Sequence, residues 1–168
     1  MGMKYLIVCM ALLAAGCAAA PKPTMEQVGL RTVASPTPSC QAGHENALAD
    51  GALIIEPGQT LCVDLHVDGT RVEPVRIVTT ADPKRTLIIR FWNEPGTDDM
   101  YLTLHNPLPS TLRYHATMRR SGSYVYEATS VCDILSKRLA IEHWPYPIAA
   151  LHLSGFSTTG SEDRVQCR

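Results

Sequence analysis

The sequence predicts an all-β fold, a single antiparallel β-sandwich of seven to nine short strands. Three observations support this prediction. Apolar and polar residues alternate in short runs from Ala52 onward, turn signals separate these runs, and no stretch has the period of a long helix. The 168 residues are enough for one domain of ordinary size but not comfortably for two. One sandwich around one core is therefore expected.

The first hairpin is predicted between residues 61 and 77. Alternate residues of its first strand should face the core, namely Leu61, Val63, Leu65 and Val67. The residues between them should face outward, namely Cys62, Asp64 and His66. Asp68-Gly69 favours a two-residue turn, with Val67 opposite Thr70. The apolar parity then changes at Pro74, which cannot donate a hydrogen bond to a ladder. We expect a bulge or an edge position there.

A central strand and a second hairpin are predicted next. Residues 86–92 are apolar on both parities, which indicates a central strand covered on both faces. Residues 100–106 and 112–119 should form the hairpin, whose connection begins at Asn106-Pro107. The expected inward side chains are Met100, Leu102 and Leu104, followed by Leu112, Tyr114, Ala116 and Met118.

The rest of the chain is predicted to add two or three strands. Residues 124–129 and 149–156 have strand-like composition, and residues 164–166 could form a last short strand. The intervening segment, residues 132–148, is expected to be irregular.

One stretch resembles a known type of domain. Tyr101-Leu-Thr-Leu-His-Asn-Pro, followed by Leu112-Arg-Tyr-His-Ala, is similar to the strand–Asn–strand pattern of immunoglobulin-like domains in bacterial surface and periplasmic proteins. This resemblance implies that the sandwich, expected over residues 40–168, is immunoglobulin-like.

The N-terminal segment is predicted to be an export signal that takes no part in the fold. Lys4 supplies a positive charge, and the apolar run that follows has about 11 residues, against the roughly 20 that cross a bilayer. Its ending, Leu12-Leu13-Ala14-Ala15-Gly16-Cys17, resembles the lipobox of bacterial lipoproteins. The resemblance implies that residues 1–16 are removed and that Cys17 carries lipid. The alternative is an ordinary secretory signal in which Cys17 is incidental.

Residues 17–39 are predicted to be the lipidated cysteine and a Pro-rich tether. Four prolines with Thr, Ser and Ala between them cannot bury a core. At ~3.1 Å per residue an extended tether would reach roughly 70 Å. Ala18 stands where the resemblance would associate an aspartate with the inner membrane, which favours the outer membrane.

Four cysteines remain in the expected mature domain: Cys40, Cys62, Cys132 and Cys167. An even number in an exported chain predicts two disulfides, with three possible connectivities. Cys62 should face away from the core, where the incoming end of the tether at Cys40 lies nearest. We therefore expect Cys40–Cys62, which leaves Cys132–Cys167, while the other two connectivities remain open.

Charge and motifs argue against several functions. The chain has 15 basic and 16 acidic side chains and no basic cluster beyond Arg119-Arg120, so no nucleic-acid partner is expected. Ser157 lacks the glycine two residues later that a nucleophile elbow requires. No phosphate-binding loop or dinucleotide motif occurs. We expect no enzymatic activity, no catalytic residue and no cofactor.

Two groups of side chains could hold a metal ion. His105, His115 and His152 have outward parity, and Met118 could bring sulfur near His115, a combination that copper accepts. Regular strand geometry nevertheless places His115 and Met118 on opposite faces. The second group, which could bind calcium through oxygens, comprises Asn93, Glu94, Asp98 and Asp99. We expect solvated side chains in both groups and no metal site.

Trp144-Pro145-Tyr146-Pro147 is the candidate binding segment. Two aromatic rings between prolines form a stiff surface that loses little entropy on binding a partner. The alternative is that Trp144 packs as a lid on the sandwich.

These features predict an outer-membrane lipoprotein that faces the periplasm. Its expected partners are the membrane, through the lipid anchor, and an unidentified envelope protein, so that it would serve as a binding or envelope-assembly module. A copper- or zinc-binding periplasmic protein is the alternative function.

Overall fold

The computed structural model describes residues 39–160 and 165–168. The predictions for the signal peptide, for Cys17 and for residues 17–38 of the tether lie outside these residues. Among the described residues, no helix has the length and hydropathy of a transmembrane span.

Ten antiparallel strands build the described part of the chain, preceded by a single 3-10 turn at Glu45–Ala47. The strands are β1 (Leu48–Ala49), β2 (Ala52–Ile55), β3 (Thr60–Asp68), β4 (Arg71–Ile77), β5 (Thr86–Asn93), β6 (Met100–His105), β7 (Thr111–Arg120), β8 (Tyr126–Thr129), β9 (Leu139–Trp144) and β10 (Ile148–Thr159). The all-β antiparallel class is confirmed.

The strands fall into two layers that share one core. The first layer has the order β1-β2-β10-β7-β8, and the second has the order β4-β3-β5-β6-β9. β10 joins them, because residues 151–153 pair with β2 and Ser157 pairs with β4. The arrangement is consistent with the predicted β-sandwich.

Alternation along the strands supplies the core. The seven inward residues predicted for residues 100–118 are all at most 5% exposed, which confirms their orientation. Core residues of both layers pack in one cluster, and each large apolar side chain buried there contributes roughly 1.5–3 kcal/mol.

β10 changes its partner strand at a bulge. Its register with β7 shifts between Ser154 and Ser157, and Gly155 adopts φ 63°, in the left-handed region. A Cβ atom at Gly155 would lie 2.8 Å from Cδ2 of His115. Glycine is therefore needed here both for its backbone conformation and for the close approach of the imidazole.

The predicted hairpin between residues 100–106 and 112–119 is wrong. β6 pairs with β5 and β9, whereas β7 pairs with β8 and β10, so the connection crosses from one layer to the other. Asn106 is fully buried and organises this crossing. Its Oδ1 accepts the N–H of Leu108 at 2.9 Å, and its Nδ2 donates to the carbonyl of Ile134 at 3.1 Å.

The first hairpin has a different register from the one predicted. Val67 lies opposite Val72 rather than Thr70, and the two turn residues are Gly69 and Thr70. Gly69 has φ 59°, so glycine takes the left-handed position of this turn. The expected bulge is confirmed, since the register shifts where Leu65 meets Pro74.

Burial on β3 departs from the predicted alternation. Cys62 and Asp64 have outward parity but are buried, because a disulfide covers one and arginine side chains cover the other. Val67, which was expected to face the core, is 43% exposed near the turn. β5 is central as predicted, although its outer face is only partly covered, with Arg90 exposed.

The segment 132–148 is not irregular throughout, because it contains β9. Leu139 and Ile141 of β9 are exposed, while Glu142 and Trp144 have the inward parity. This inverted pattern differs from that of an ordinary amphipathic strand. β1 and β2 were also missed, and the total of ten strands exceeds the seven to nine expected.

Candidate functional site

A row of stacked side chains crosses the outer face of the second layer. Trp92 of β5 lies opposite Tyr101 of β6, and Tyr101 lies opposite His143 of β9. The ring centroids are 5.5 Å apart in the first pair and 4.8 Å apart in the second. The Arg90 guanidinium lies 4.8 Å from the Trp92 ring centroid, and His143 Nε2 lies 2.8 Å from Oδ1 of Asp99. We call these five side chains the aromatic row.

Strand alternation and register create the aromatic row. Phe91 and Leu102 enter the core, so their neighbours on β5 and β6 must point outward. The register then aligns one outward residue from each of three adjacent strands. Cross-strand aromatic pairs of this kind stabilise a sheet by roughly 0.2–1 kcal/mol each.

The aromatic row adjoins the free edge of β9. This strand ends the second layer, and among residues 39–160 and 165–168 it pairs only with β6. Leu139 and Ile141 are 55% and 62% exposed, on the same outer face as His143. A groove of about 380 Å³ lies beside β9, lined by Cys132, Asp133, Leu135, Arg138, Leu139, Ala140, Ile141, Glu142 and Val165.

Two inward side chains of β9 bridge to the first layer, and we call this set of contacts the seam. Glu142 Oε1 accepts the N–H of Cys132 at 2.7 Å and the hydroxyl of Tyr114 at 3.5 Å. Trp144 Nε1 donates to Oγ1 of Thr129 at 2.8 Å. The seam closes the sandwich between the outermost strands of its two layers.

The seam shifts the titration of two groups. Burial raises the pKa of Glu142 above its ordinary 4.5, although the hydrogen bonds from Cys132 and Tyr114 act in the opposite direction. Burial also raises the pKa of Tyr114 well above 10, and the nearby carboxylate of Glu142 adds to this effect.

A second buried carboxylate, Asp64, lies on the outer face of β3. Its Oδ1 accepts the hydroxyl of Thr86 at 2.7 Å, and its Oδ2 lies 2.9 Å from Nη2 of Arg76 and 3.4 Å from Nε of Arg85. Burial alone would raise the pKa of Asp64. The hydrogen bonds from Thr86 and Arg76 and the charges of both arginines outweigh burial and lower it below its ordinary 3.8.

Both predicted disulfides are present, so the expected connectivity is confirmed. Cys40 is joined to Cys62, which is fully buried, and Cys132 is joined to Cys167, which is exposed. Cys17 lies outside the described residues.

The candidate binding segment is not an exposed aromatic surface. Trp144 is only 5% exposed, because it occupies an inward position of β9. Its burial agrees with the alternative prediction, in which Trp144 packs as a lid on the sandwich. Tyr146 is half-buried and packs against the core, with the Arg120 guanidinium 4.4 Å from its ring centroid. The exposure that a docking role for Trp144 would require is therefore absent.

The histidines singled out by the sequence lie on different strands, whereas the candidate acidic residues share the loop between β5 and β6, where the N–H of Glu94 donates to the carbonyl of Asp99 at 2.8 Å. His115 is exposed and Met118 is buried, on opposite faces of β7 as predicted. His105 lies on the second layer, whereas His115 and His152 lie on the first. Within residues 39–160 and 165–168, no three His, Cys, Asp or Glu side chains are grouped as a metal site.

Sequence reasoning missed the aromatic row. The signal was present in the outward parity of Arg90, Trp92 and Tyr101, but the apolar run of β5 suggested a strand covered on both faces. The third ring, His143, could not be added because β9 itself was not predicted.

No protein-family model, curated protein or solved structure matches the chain.

Proposed function

We propose that the chain is an outer-membrane lipoprotein that faces the periplasm and acts as a non-enzymatic binding or envelope-assembly module. Its partner would dock on the aromatic row and on the adjoining side chains of Leu139 and Ile141.

The proposed location rests on the N-terminal sequence and is supported by the cysteines. The short apolar segment ending at Cys17 has the features of a lipoprotein signal. The two disulfides suit an oxidising compartment such as the periplasm.

The observation that carries the binding role is the composition of one exposed sheet face. Arg, Trp and Tyr are the residue types enriched among interface anchors. Here the exposed Arg90 and the half-buried Trp92 and Tyr101 lie side by side, next to two exposed aliphatic side chains. A contiguous exposed apolar patch indicates an interaction site, whereas scattered apolar residues do not.

The outer face of the first layer provides a contrast. Its central positions carry His152, Thr117 and Ala128 in one cross-strand line, and Ile54 of β2, opposite His152, is 39% exposed. Tyr126 lies on this face, with its ring centroid 6.2 Å from that of His152. It provides a matched control, because it is also a surface tyrosine next to a histidine.

Capture from solubilised envelope tests the docking face. The double variant Trp92→Ala and Tyr101→Ala should lose an envelope protein that the wild type and Tyr126→Ala both retain. Circular dichroism checks that the variants are folded. Equal capture by folded double variant and wild type would exclude the aromatic row as the docking face.

Lipidation is tested at Cys17. Three acyl chains at ~0.8 kcal/mol per buried methylene make release from the membrane negligible. The wild type should incorporate labelled palmitate and fractionate with the outer membrane, whereas Cys17→Ser should do neither. If the variant still fractionates with the outer membrane and the wild type takes up no label, the assignment of Cys17 as the lipid anchor is wrong.

A further inference from the structure

We propose that the free edge of β9 and the groove beside it accept an extended, acidic segment of a partner polypeptide as an added strand. This inference rests on the proposed binding function and specifies how the partner is recognised.

The backbone of β9 determines the shape of the ligand. β6 occupies one side of this strand, and no described strand pairs with the other side, so its alternate N–H and C=O groups can pair with a partner. An extended chain satisfies such groups, and this is the basis of recognition by strand addition. The groove of about 380 Å³ beside residues 139–142 supplies the space.

Exposed apolar side chains line the groove beside this edge. Leu139 and Ile141 are exposed on β9, and Val165, which also lines the groove, is 52% exposed. Strand edges that are not used are commonly protected by charged side chains. Here the outward positions nearest the groove are aliphatic, which suits a segment with alternating apolar residues.

Charge around the groove selects an acidic segment. Arg138 lines the groove, and Arg113 and Arg168 form ion pairs with Asp133, which lines it together with Glu142. The balance of these three arginines and two carboxyl side chains is +1, whereas the whole chain has a net charge of −1. Arg138 is exposed and has no ion-pair partner among the residues that the structure describes. A second copy of the same cationic edge would be repelled, so we commit to an acidic partner.

The opposite wall of the groove already uses this mode of pairing. The N–H of Val131 donates to the carbonyl of Arg168 at 2.9 Å, and the N–H of Asp133 donates to the carbonyl of Gln166 at 2.8 Å. The Cys132–Cys167 disulfide fixes this short strand. A segment added to β9 would pair in the same way on the other side of the groove.

Two peptides of opposite charge test the inference on the folded protein. The first is an end-blocked octapeptide of alternating glutamate and valine, and the second has lysine in place of glutamate. Fluorescence anisotropy should show the acidic peptide binding at least about tenfold more tightly. Hydrogen exchange at residues 139–142 should slow when it binds, because added-strand hydrogen bonds protect amides.

Variants and a third peptide identify the site. Arg138→Glu should weaken binding of the acidic peptide about tenfold, whereas Arg119→Glu, a matched charge reversal on the first layer, should not. An acidic peptide with proline at its two central valines should lose binding, because proline cannot donate to a ladder.

Several outcomes would overturn the inference. They are no saturable binding of the acidic peptide, equal binding of the proline peptide, or unchanged exchange in β9. Sedimentation showing a dimer that slows exchange in β9 without peptide would identify a second copy as the occupant instead. Envelope capture that depends on Trp92 and Tyr101 but not on Arg138 would leave the proposed function standing and reject this site. Peptide binding at β9 without capture that depends on Trp92 and Tyr101 would support this site and reject the proposed docking on the aromatic row.

Discussion

Asp64 and Glu142 are both carboxylates withdrawn from solvent, yet their pKa values move in opposite directions. Two guanidinium groups and a hydroxyl contact Asp64 and keep it ionised. Glu142 receives only an amide N–H and a phenol, which do not offset its burial. Nearby cations, rather than burial alone, therefore decide the direction in which the pKa of a buried carboxyl group moves. The outer face of β3 is held by ion pairs, and the seam by hydrogen bonds and packing.

Truncation at the seam should have the largest effect on stability. Trp144→Ala removes a buried ring and leaves the hydroxyl of Thr129 without its donor. We expect a loss of about 3–5 kcal/mol in the free energy of unfolding, measured by urea denaturation. Tyr146→Ala is the control, and its cost should be smaller because Tyr146 is only half-buried. An unchanged midpoint for Trp144→Ala would mean that packing does not hold the seam.

Neutralising Asp64 should have an intermediate effect. Asp64→Asn removes a charge-assisted acceptor and should cost about 1–3 kcal/mol at pH 7. Because the pKa of Asp64 is lower in the folded state, the unfolded chain binds more protons below pH 3.8. The contribution to stability is therefore present above that pH and is lost as pH falls through the folded pKa.

Unfolding measured between pH 2 and pH 7 checks this expectation. The wild type should lose its advantage over Asp64→Asn at the acid end, while the exposed control Asp68→Asn should follow the wild type throughout. A difference between wild type and Asp64→Asn that does not change with pH would contradict the role of its charge.

Neutralising Glu142 should have the smallest effect, and its pH dependence should have the opposite sign. The pKa of Glu142 is raised in the folded state, so that state binds more protons above pH 4.5. Stability therefore falls as pH rises through this window. Glu142→Gln keeps an acceptor without a charge and should change stability at pH 7 by less than about 1 kcal/mol.

Unfolding of Glu142→Gln at pH 4 and pH 7 measures this slope against that of the wild type. A variant that is clearly destabilised at pH 7 would show that the ionised carboxylate stabilises the seam, and the contrast with Asp64 would then disappear.

The strands with clear alternation were predictable, whereas β9 was not. β6 and β7 place apolar residues inward at every second position, which is the pattern that core burial imposes. β9 reverses this pattern, with Ile141 outward and Glu142 inward, because its inward residues serve the seam. A strand that uses polar inward contacts has no local signal of its own.

Long-range contacts account for the other errors. A hairpin was inferred at Asn106 because Asn-Pro commonly begins a turn. The side chain instead bonds a carbonyl 28 residues later, which no local pattern can reveal. The aromatic row could not be predicted for the same reason, since its side chains come together only when β5, β6 and β9 are adjacent. The disulfides were easier to predict, because strand parity indicates the face of β3 from which Cys62 points.

The position of β10 has a consequence for how the chain folds. This strand is the last long one in the sequence, yet it lies at the centre of the first layer, where Leu53 pairs with Leu153 about a hundred residues later, and it also pairs with the second layer through Ser157 and Arg71. Such distant pairings must close large loops before they gain contacts, which makes folding slow. The first layer cannot form until Ile148–Thr159 is available to pair with β2 and β7, so the apolar side chains that face it stay without their cover until then.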